Sequence, residues 1–167
     1  VPGIDLADKL GLKMKVIARR DYADVNAYGQ AVWPIIKDSG AKLVCLAGFL
    51  SYIPIDPDYH HRVMNIHPAL LPSFGGKGMF GSKVHEAVLN AGCKVSGCTV
   101  HFADEEYDHG PIIIQKTCAV HDDDRPEDLA ERVFALECKA YPQAIQAFAD
   151  NRLSIRGRRV TMQTPTG

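Results

Sequence analysis

The sequence predicts an α/β protein built on an open, mainly parallel sheet with helices on both faces. Apolar, strand-like runs alternate along the chain with segments of helical periodicity. Residues 43–47 and 63–66 are almost continuously apolar, which is typical of strands covered on both faces. No internal repeat, low-complexity linker or shift in charge divides the 167 residues, so residues 1–167 are expected to form a single domain.

The first half of the chain is expected to contribute two helices and three strands. The predicted helices cover residues 5–10 and 24–39, and the predicted strands cover residues 14–18, 43–47 and 63–66. Gly11 is placed to end the first helix, because glycine readily adopts the left-handed conformation found after helices. Apolar residues at near-helical spacing define the second helix, which Pro34 is expected to kink or split.

The second half is expected to contribute two more helices and two more strands. The predicted helices cover residues 82–90 and a segment from residue 124 onward, and the strands cover residues 95–102 and 112–120. Asp124 and Glu127 stand three residues apart, which is the spacing of a capping box at a helix start. From Leu129 to Ala140 an apolar residue recurs every three or four positions, which predicts one buried face. Pro142 is expected to begin a new turn.

Charge and composition exclude several classes of function. The formal net charge is −1, so neither nucleic acid nor an anionic membrane surface is predicted as a partner. No run approaches the roughly 18 apolar residues of a membrane span. The five cysteines are odd in number and scattered, which favours a reducing compartment, either the cytoplasm or an organelle stroma.

Asn65 and His67 end the second apolar run and are the first candidates for chemistry. Residues two apart in an extended chain point to the same side, and Pro68 favours an extended conformation at His67. An amide beside an imidazole suits acyl or formyl transfer, because the amide stabilises a developing oxyanion while the imidazole moves a proton near neutral pH. The spacing fits equally a turn-capping asparagine beside a core histidine, so spacing alone leaves both interpretations open.

A second pair of polar residues two apart, Thr99 and His101, precedes an acidic loop. The carboxylates of that loop are Asp104, Glu105, Glu106 and Asp108. Asp108 comes just before a His-Gly-Pro turn and is placed to point inward, where a carboxylate close to His67 would favour the imidazolium. The other carboxylates of the loop are expected to face solvent.

No metal site and no nucleophile triad is predicted. Of the seven histidines, His60 and His61 are adjacent and point apart, and the others lack partners at ligand spacing. The motif G-x-S-x-G does not occur.

Four segments in the same order resemble a known enzyme family. They read LAGFLSYIP, NIHPALLPSFGGKGMFGSKVHEAVLNAG, SGCTVHFADEEYDHGPIIIQ and RVFALECKAYPQAI. The chain is similar over residues 43–145 to the phosphoribosylglycinamide formyltransferases, which have a Rossmann-like formyltransferase fold. The resemblance implies transfer of a formyl group from 10-formyltetrahydrofolate to the amine of glycinamide ribonucleotide, in de novo purine (IMP) biosynthesis, without a metal ion. The expected oligomeric state is a monomer or a homodimer.

The resemblance also implies site residues. The family's catalytic residues match Asn65, which steadies the formyl oxygen, His67, which donates a proton, and Asp108, which raises the basicity of His67. The implied contacts with the folate donor are Leu50, Ser51, Tyr52, Ile53 and Asn65, together with the loop residues Ala103, Asp104, Glu105, Glu106, Tyr107 and Asp108. The implied contacts with the ribonucleotide are Thr99, His101, Phe134 and Glu137, the last as partner of the ribose.

Two departures from the family pattern stand out. Ser51 occupies a position at which many relatives carry a basic residue. The strand, glycine-rich turn and helix with which the family begins have no counterpart, so the domain is expected to be incomplete at its N-terminus.

Two alternative functions follow from these features. The first is hydrolysis of 10-formyltetrahydrofolate, although hydrolases of this type read Asn-Ile-His-His where this chain has Pro68. The second is a non-catalytic module that binds folate or a nucleotide. Formyl transfer to a transfer RNA would call for a longer, basic chain.

Overall fold

The computed structural model describes residues 2–164, which fold as an α/β structure. Its strands are β1 (Val44–Leu46), β2 (Val63–His67), β3 (Val95–Phe102), β4 (Ile112–Ala119), β5 (Leu153–Arg156) and β6 (Arg159–Met162). Its α-helices are α1 (Pro2–Lys9), α2 (Val25–Asp38), α3 (Ser82–Asn90) and α4 (Pro126–Ala149). Within the same residues, no helix combines the length and the apolar character needed to cross a membrane.

The strands form one sheet in the order β1-β2-β3-β4-β6-β5. β1 pairs with β2 in parallel and β4 with β6 in parallel, while the other three neighbouring pairs are antiparallel. β1, β2, β4 and β6 therefore run in one direction, and β3 and β5 run in the other. The predicted α/β class is confirmed, with a sheet that is mixed in pairing and mainly parallel in strand direction.

One face of the sheet packs against α4. Met64 of β2 and Phe102 of β3 are buried in a core with Leu129 and Val133 of α4. The recurring apolar residues predicted from the sequence thus form the buried stripe of this helix. This core packs β2 and β3 against α4.

The opposite face of β2 carries both apolar packing and polar side chains. Val63 packs against Tyr28 and Trp33 of α2. Further along the same face come Asn65 and His67, because side chains alternate between the two faces of a strand. The chain therefore has helices on both faces, as predicted, and the polar ends of its strands extend beyond the cover that α2 provides.

The structure corrects two strand predictions. Residues 14–18 form no strand, and the Met14 and Val16 side chains are 47% and 69% exposed. A strand requires a neighbour for its backbone hydrogen bonds, and residues 14–18 have none among residues 2–164. β1 is shorter than predicted, and Cys45 within it is exposed.

Both helix-interior prolines were predicted to disrupt structure, and neither ends a helix. Pro34 lies inside α2 and Pro142 inside α4, which continues to Ala149. A proline removes one helical hydrogen bond, but packing on both sides outweighs this loss in α4, where Ala140 and Ala144 are fully buried.

The cap of α4 also differs from the prediction. The capping residue is Arg125, whose backbone N–H donates to Asp128 Oδ2 at 3.0 Å. Asp124 instead accepts two hydrogen bonds of 2.7 Å from the Arg132 guanidinium. The capping box expected from Asp124 and Glu127 is therefore wrong by one residue, because Arg132 competes for Asp124.

The core against α4 leads to a test of stability. Leu129→Ala removes a side chain that is 0% exposed and should lower the free energy of unfolding by about 3 kcal/mol. Leu10→Ala, at a side chain that is 62% exposed, should change it by less than about 0.5 kcal/mol. Urea unfolding measures both variants, and equal effects would contradict the assignment of the core.

Candidate active site

A cavity of about 700 Å³ opens where β2 and β3 meet the loops around them. Its walls come from the loop after β1, from residues 76–82, from the loop between β3 and β4, and from α4. Of the residues predicted for the site, all except Thr99 and Glu105 line this cavity. The sheet and its loops therefore bring together segments that are distant in sequence.

His67 lies at the end of β2 with both ring nitrogens engaged. Its Nε2 lies 2.8 Å from the backbone oxygen of Phe74, and its Nδ1 lies 3.5 Å from Asp108 Oδ2. A carbonyl oxygen accepts but never donates, so Nε2 carries the proton in the neutral ring. Nδ1 is then the atom that gains and loses a proton, and it faces Asp108.

Asn65 lies between the two other polar groups of the same wall. Its Nδ2 lies 3.2 Å from His101 Nε2 and 3.4 Å from Asp108 Oδ1. His101 Nδ1 donates to the backbone oxygen of Phe102 at 2.9 Å, so His101 Nε2 is free to accept from Asn65. One N–H of Asn65 is thus fixed, while the second makes a long and weak contact.

Asp108 is held in place by the backbone as well as by these side chains. Its φ of 54° lies in the left-handed region, which aspartate tolerates better than most residues. The Gly76 N–H donates to Asp108 Oδ2 at 2.9 Å. A Cβ at Gly75 would lie 3.1 Å from Asp108 Cβ and 2.5 Å from Leu71 Cδ2, so a larger residue there would displace the Leu71 side chain and crowd Asp108.

Burial and charge act in opposite directions on the catalytic candidates. Burial lowers the pKa of His67 below its ordinary 6.5, although Asp108 and the Phe74 carbonyl act to raise it. Asp108 thus favours the imidazolium, as expected, but burial lowers the pKa of His67 by more than Asp108 raises it. Burial alone would raise the pKa of Asp108, but contacts with His101, His67 and the Gly76 amide hold it below 3.8.

Two predicted contacts lie outside the cavity wall. Thr99 is fully buried, and its hydroxyl faces the backbone of the loop after β2, so the prediction that Thr99 lines the site is wrong. Glu105 is exposed, and its backbone oxygen accepts a hydrogen bond from the Tyr52 hydroxyl at 3.1 Å. Tyr52 in turn lies against Tyr107 at 5.5 Å between ring centroids.

Other cavity residues were missed from the sequence. His85 of α3 lines the cavity, is buried, and has no hydrogen-bond partner for Nδ1 among residues 2–164. The Phe74 carbonyl and the Gly76 amide are backbone groups, which carry no signal in residue type. The distance of 18 residues between His67 and His85 in sequence gave no motif that connects them.

Glu137 of α4 lines the cavity opposite the β2 residues. Burial raises the pKa of Glu137 to about 6. A carboxylate in this state is charged at neutral pH at a cost in stability, which makes Glu137 a candidate for binding. No group of three or more metal-ligating side chains is found among residues 2–164.

The fold, together with comparison to known proteins, defines the class. The sequence model of the family described as formyl transferase matches residues 1–145, and the chain belongs to this family. The chloroplastic phosphoribosylglycinamide formyltransferase of Arabidopsis thaliana is 40% identical over 158 residues, which are 92% of this chain and 54% of that protein. The chain therefore spans about half of that relative's length.

Two further proteins show the same relationship. The trifunctional purine biosynthetic protein adenosine-3 of Bos taurus is 40% identical over 162 residues, which are 95% of this chain and 16% of that protein. The crystal structure of glycinamide ribonucleotide transformylase 1 from Symbiobacterium toebii has a TM-score of 0.88 and 37% identity, and the match covers 97% of this chain and 75% of that one. The family resemblance seen in the sequence is thus confirmed.

The opposing effects on His67 give a prediction for its titration. The pKa of His67 should lie below 6.5, and in Asp108→Asn it should fall further, because the variant removes the carboxylate that opposes burial. Asparagine tolerates the left-handed backbone at this position, so the variant changes mainly the charge. Asp104→Asn is the control and should leave the value unchanged. NMR titration of the imidazole measures it, and an equal or higher pKa in Asp108→Asn would refute the contact.

Proposed function

We propose that the protein transfers a formyl group from 10-formyltetrahydrofolate to the amine of glycinamide ribonucleotide, in purine biosynthesis and without a metal ion. The observation that carries this proposal is the convergence of Asn65, His67 and Asp108 on one wall of one cavity. The names of the relatives support the choice of substrates. We further propose the cytoplasm or an organelle stroma as the location, and a monomer or homodimer as the assembly.

The cavity suits a folate donor in size and chemistry. A volume of about 700 Å³ falls within the range of pockets that bind drug-sized ligands. Ile53 is buried, and Tyr52 and Tyr107 form an aromatic pair at the wall. We assign the donor to residues 50–53 and 103–108, all of which except Glu105 line the cavity.

The acceptor is assigned to the α4 side of the cavity. Glu137 offers a carboxylate for ribose hydroxyl groups, and Phe134 is an exposed aromatic ring beside it. His101 contributes indirectly, because its Nε2 holds Asn65.

Bound donor supplies the formyl carbon, and the residues of the chain manage charge and protons around it. The acceptor amine attacks that carbon, which forms a new C–N bond and places negative charge on the formyl oxygen. The second N–H of Asn65 is available to this oxygen, since its contact with Asp108 Oδ1 is long at 3.4 Å.

His67 completes the exchange through Nδ1. The attacking amine passes a proton to Nδ1 of the neutral His67, the bond from carbon to the donor nitrogen breaks, and that nitrogen gains a proton. His67 Nδ1 delivers this proton as imidazolium, and Asp108 stabilises the charged ring at 3.5 Å. Because burial lowers the pKa of His67, its imidazolium is a stronger acid than a free imidazolium and releases its proton more readily.

The proposal is tested by one assay with two conditions. Incubation with 10-formyltetrahydrofolate should release tetrahydrofolate only when glycinamide ribonucleotide is present. Equal release without the ribonucleotide would identify a hydrolase, and binding without release would identify a non-catalytic module. Either of these results would overturn the transferase proposal.

The role of His67 predicts a large loss of turnover in His67→Ala. Removing a general acid–base group should lower kcat by about 10² or more. His121→Ala, at an exposed histidine in the loop before α4, serves as the matched control and should retain full activity. Steady-state kinetics distinguish the two, and near-normal turnover in His67→Ala would refute the role.

The raised pKa of Glu137 predicts that its carboxylate lowers the stability of the fold at neutral pH while it contributes to substrate binding. Its folded-state pKa of about 6 lies above the ordinary 4.5, so it destabilises the fold as pH rises from 4.5 through 6. Glu137→Gln should therefore melt at a higher temperature than the parent at pH 7.5, by a margin that shrinks at pH 5, and should raise KM for the ribonucleotide. Thermal melts at both pH values check this, and a lower melting temperature at pH 7.5 would contradict it.

A further inference from the structure

Thr99 lies beside His67 in the sheet, yet its side chain serves the loop and not the cavity. The two residues are direct partners in the antiparallel pairing of β2 and β3. The Thr99 hydroxyl donates to the backbone oxygen of Ala69 at 2.7 Å and accepts from the Leu71 N–H at 3.1 Å. This hydroxyl is fully buried, so the contacts are shielded from water.

Gln115 of β4 completes the arrangement from the other side. It is the cross-strand partner of Thr99, and its Nε2 donates to Thr99 Oγ1 at 3.1 Å and to the Leu71 backbone oxygen at 2.9 Å. Thr99 thereby uses its one donor and both acceptor positions. Both backbone polar groups of Leu71 are also held. We call Thr99 and Gln115 the loop clamp.

The clamped segment leads directly to the groups that hold the catalytic candidates. Three residues after Leu71, the Phe74 carbonyl accepts from His67 Nε2 at 2.8 Å. Two residues further, the Gly76 N–H donates to Asp108 Oδ2 at 2.9 Å. A shift of the loop would therefore disturb both catalytic side chains together.

The loop between the clamp and the catalytic side chains has little freedom. The Leu71 side chain approaches Gly75 so closely that a Cβ there would lie 2.5 Å from it. Phe74 has a φ of 55°, which costs free energy for a residue other than glycine and persists only when its surroundings hold it. We therefore expect a displacement at Leu71 to move Phe74 as well.

We propose that the loop clamp is a positioning device that sets the tautomer of His67. By fixing Leu71, Thr99 and Gln115 keep the Phe74 carbonyl within hydrogen-bond distance of His67 Nε2. The proton is then confined to Nε2 in the neutral ring, and Nδ1 stays free for proton transfer. The consequence for turnover rests on the proposed function, whereas the consequence for the tautomer does not.

The chain offers a matched set of variants. Thr99→Val keeps the shape and removes the hydroxyl, Thr99→Ser restores the hydroxyl, and Gln115→Leu removes both amide donors from an exposed residue. Ser96→Ala is the control, because Ser96 lies on the same strand, is 2% exposed, and has a hydroxyl without a partner among residues 2–164. Long-range ¹H–¹⁵N spectra report the His67 tautomer in the ligand-free protein.

Two results are expected together. In Thr99→Val and Gln115→Leu, the neutral His67 ring should change from the Nε2–H form to a mixture of both tautomers, while Thr99→Ser and Ser96→Ala keep the parent spectrum. In the same two variants kcat should fall by about 10-fold or more, with KM for both substrates within about twofold, since the groups that bind substrate are untouched.

The outcome separates this inference from the proposed function. A folded Gln115→Leu protein with the parent tautomer would overturn the positioning role, and because Gln115 is exposed this variant decides the matter even if Thr99→Val fails to fold. A parent protein that transfers no formyl group would overturn the proposed function, while its spectra would still test the clamp.

Discussion

The contact between His67 and Asp108 is the interaction on which the site depends, because it joins two separate crossings of the sheet. His67 Nδ1 and Asp108 Oδ2 lie 3.5 Å apart although 41 positions separate the residues in sequence. Burial works against the charged imidazole, and the carboxylate offsets part of that cost. A proton bound at Nδ1 is therefore held loosely enough to be delivered and firmly enough to be recovered, which suits a group that acts within one catalytic cycle.

The rest of the fold can be understood as support for this contact. α4 covers one face of β2 and β3 with an apolar core, which supports the strands that carry the polar side chains. The pairing of β2 with β3 places Asn65 opposite His101 and His67 opposite Thr99. All four residues lie on the face of the sheet that α4 does not cover. His101 thus orients the amide of Asn65, and Thr99, the partner of His67, belongs to the loop clamp. The same sheet that supplies stability also fixes the spacing of the chemistry.

Much of this arrangement could be predicted from the sequence, and the limits have physical reasons. The alternation of apolar runs and helical stripes gave the element order, and the two-residue spacing of Asn65 and His67 gave their common direction. The side chain of Thr99 was misjudged because its neighbour is a loop whose path depends on tertiary packing. The cap of α4 was misplaced by one residue because Arg132, eight residues further along the chain, competes for Asp124. The tautomer of His67 depends on the Phe74 carbonyl, and a backbone group leaves no trace in residue type.

The most direct test of the central claim is a double-mutant cycle on kcat/KM for formyl transfer, with His67→Asn and Asp108→Asn separately and combined. If the two side chains act as one unit, the double variant should lose little more activity than His67→Asn alone, so the separate losses will not add. Losses that add in full would show that Asp108 acts independently of His67 and would contradict their action as one catalytic unit.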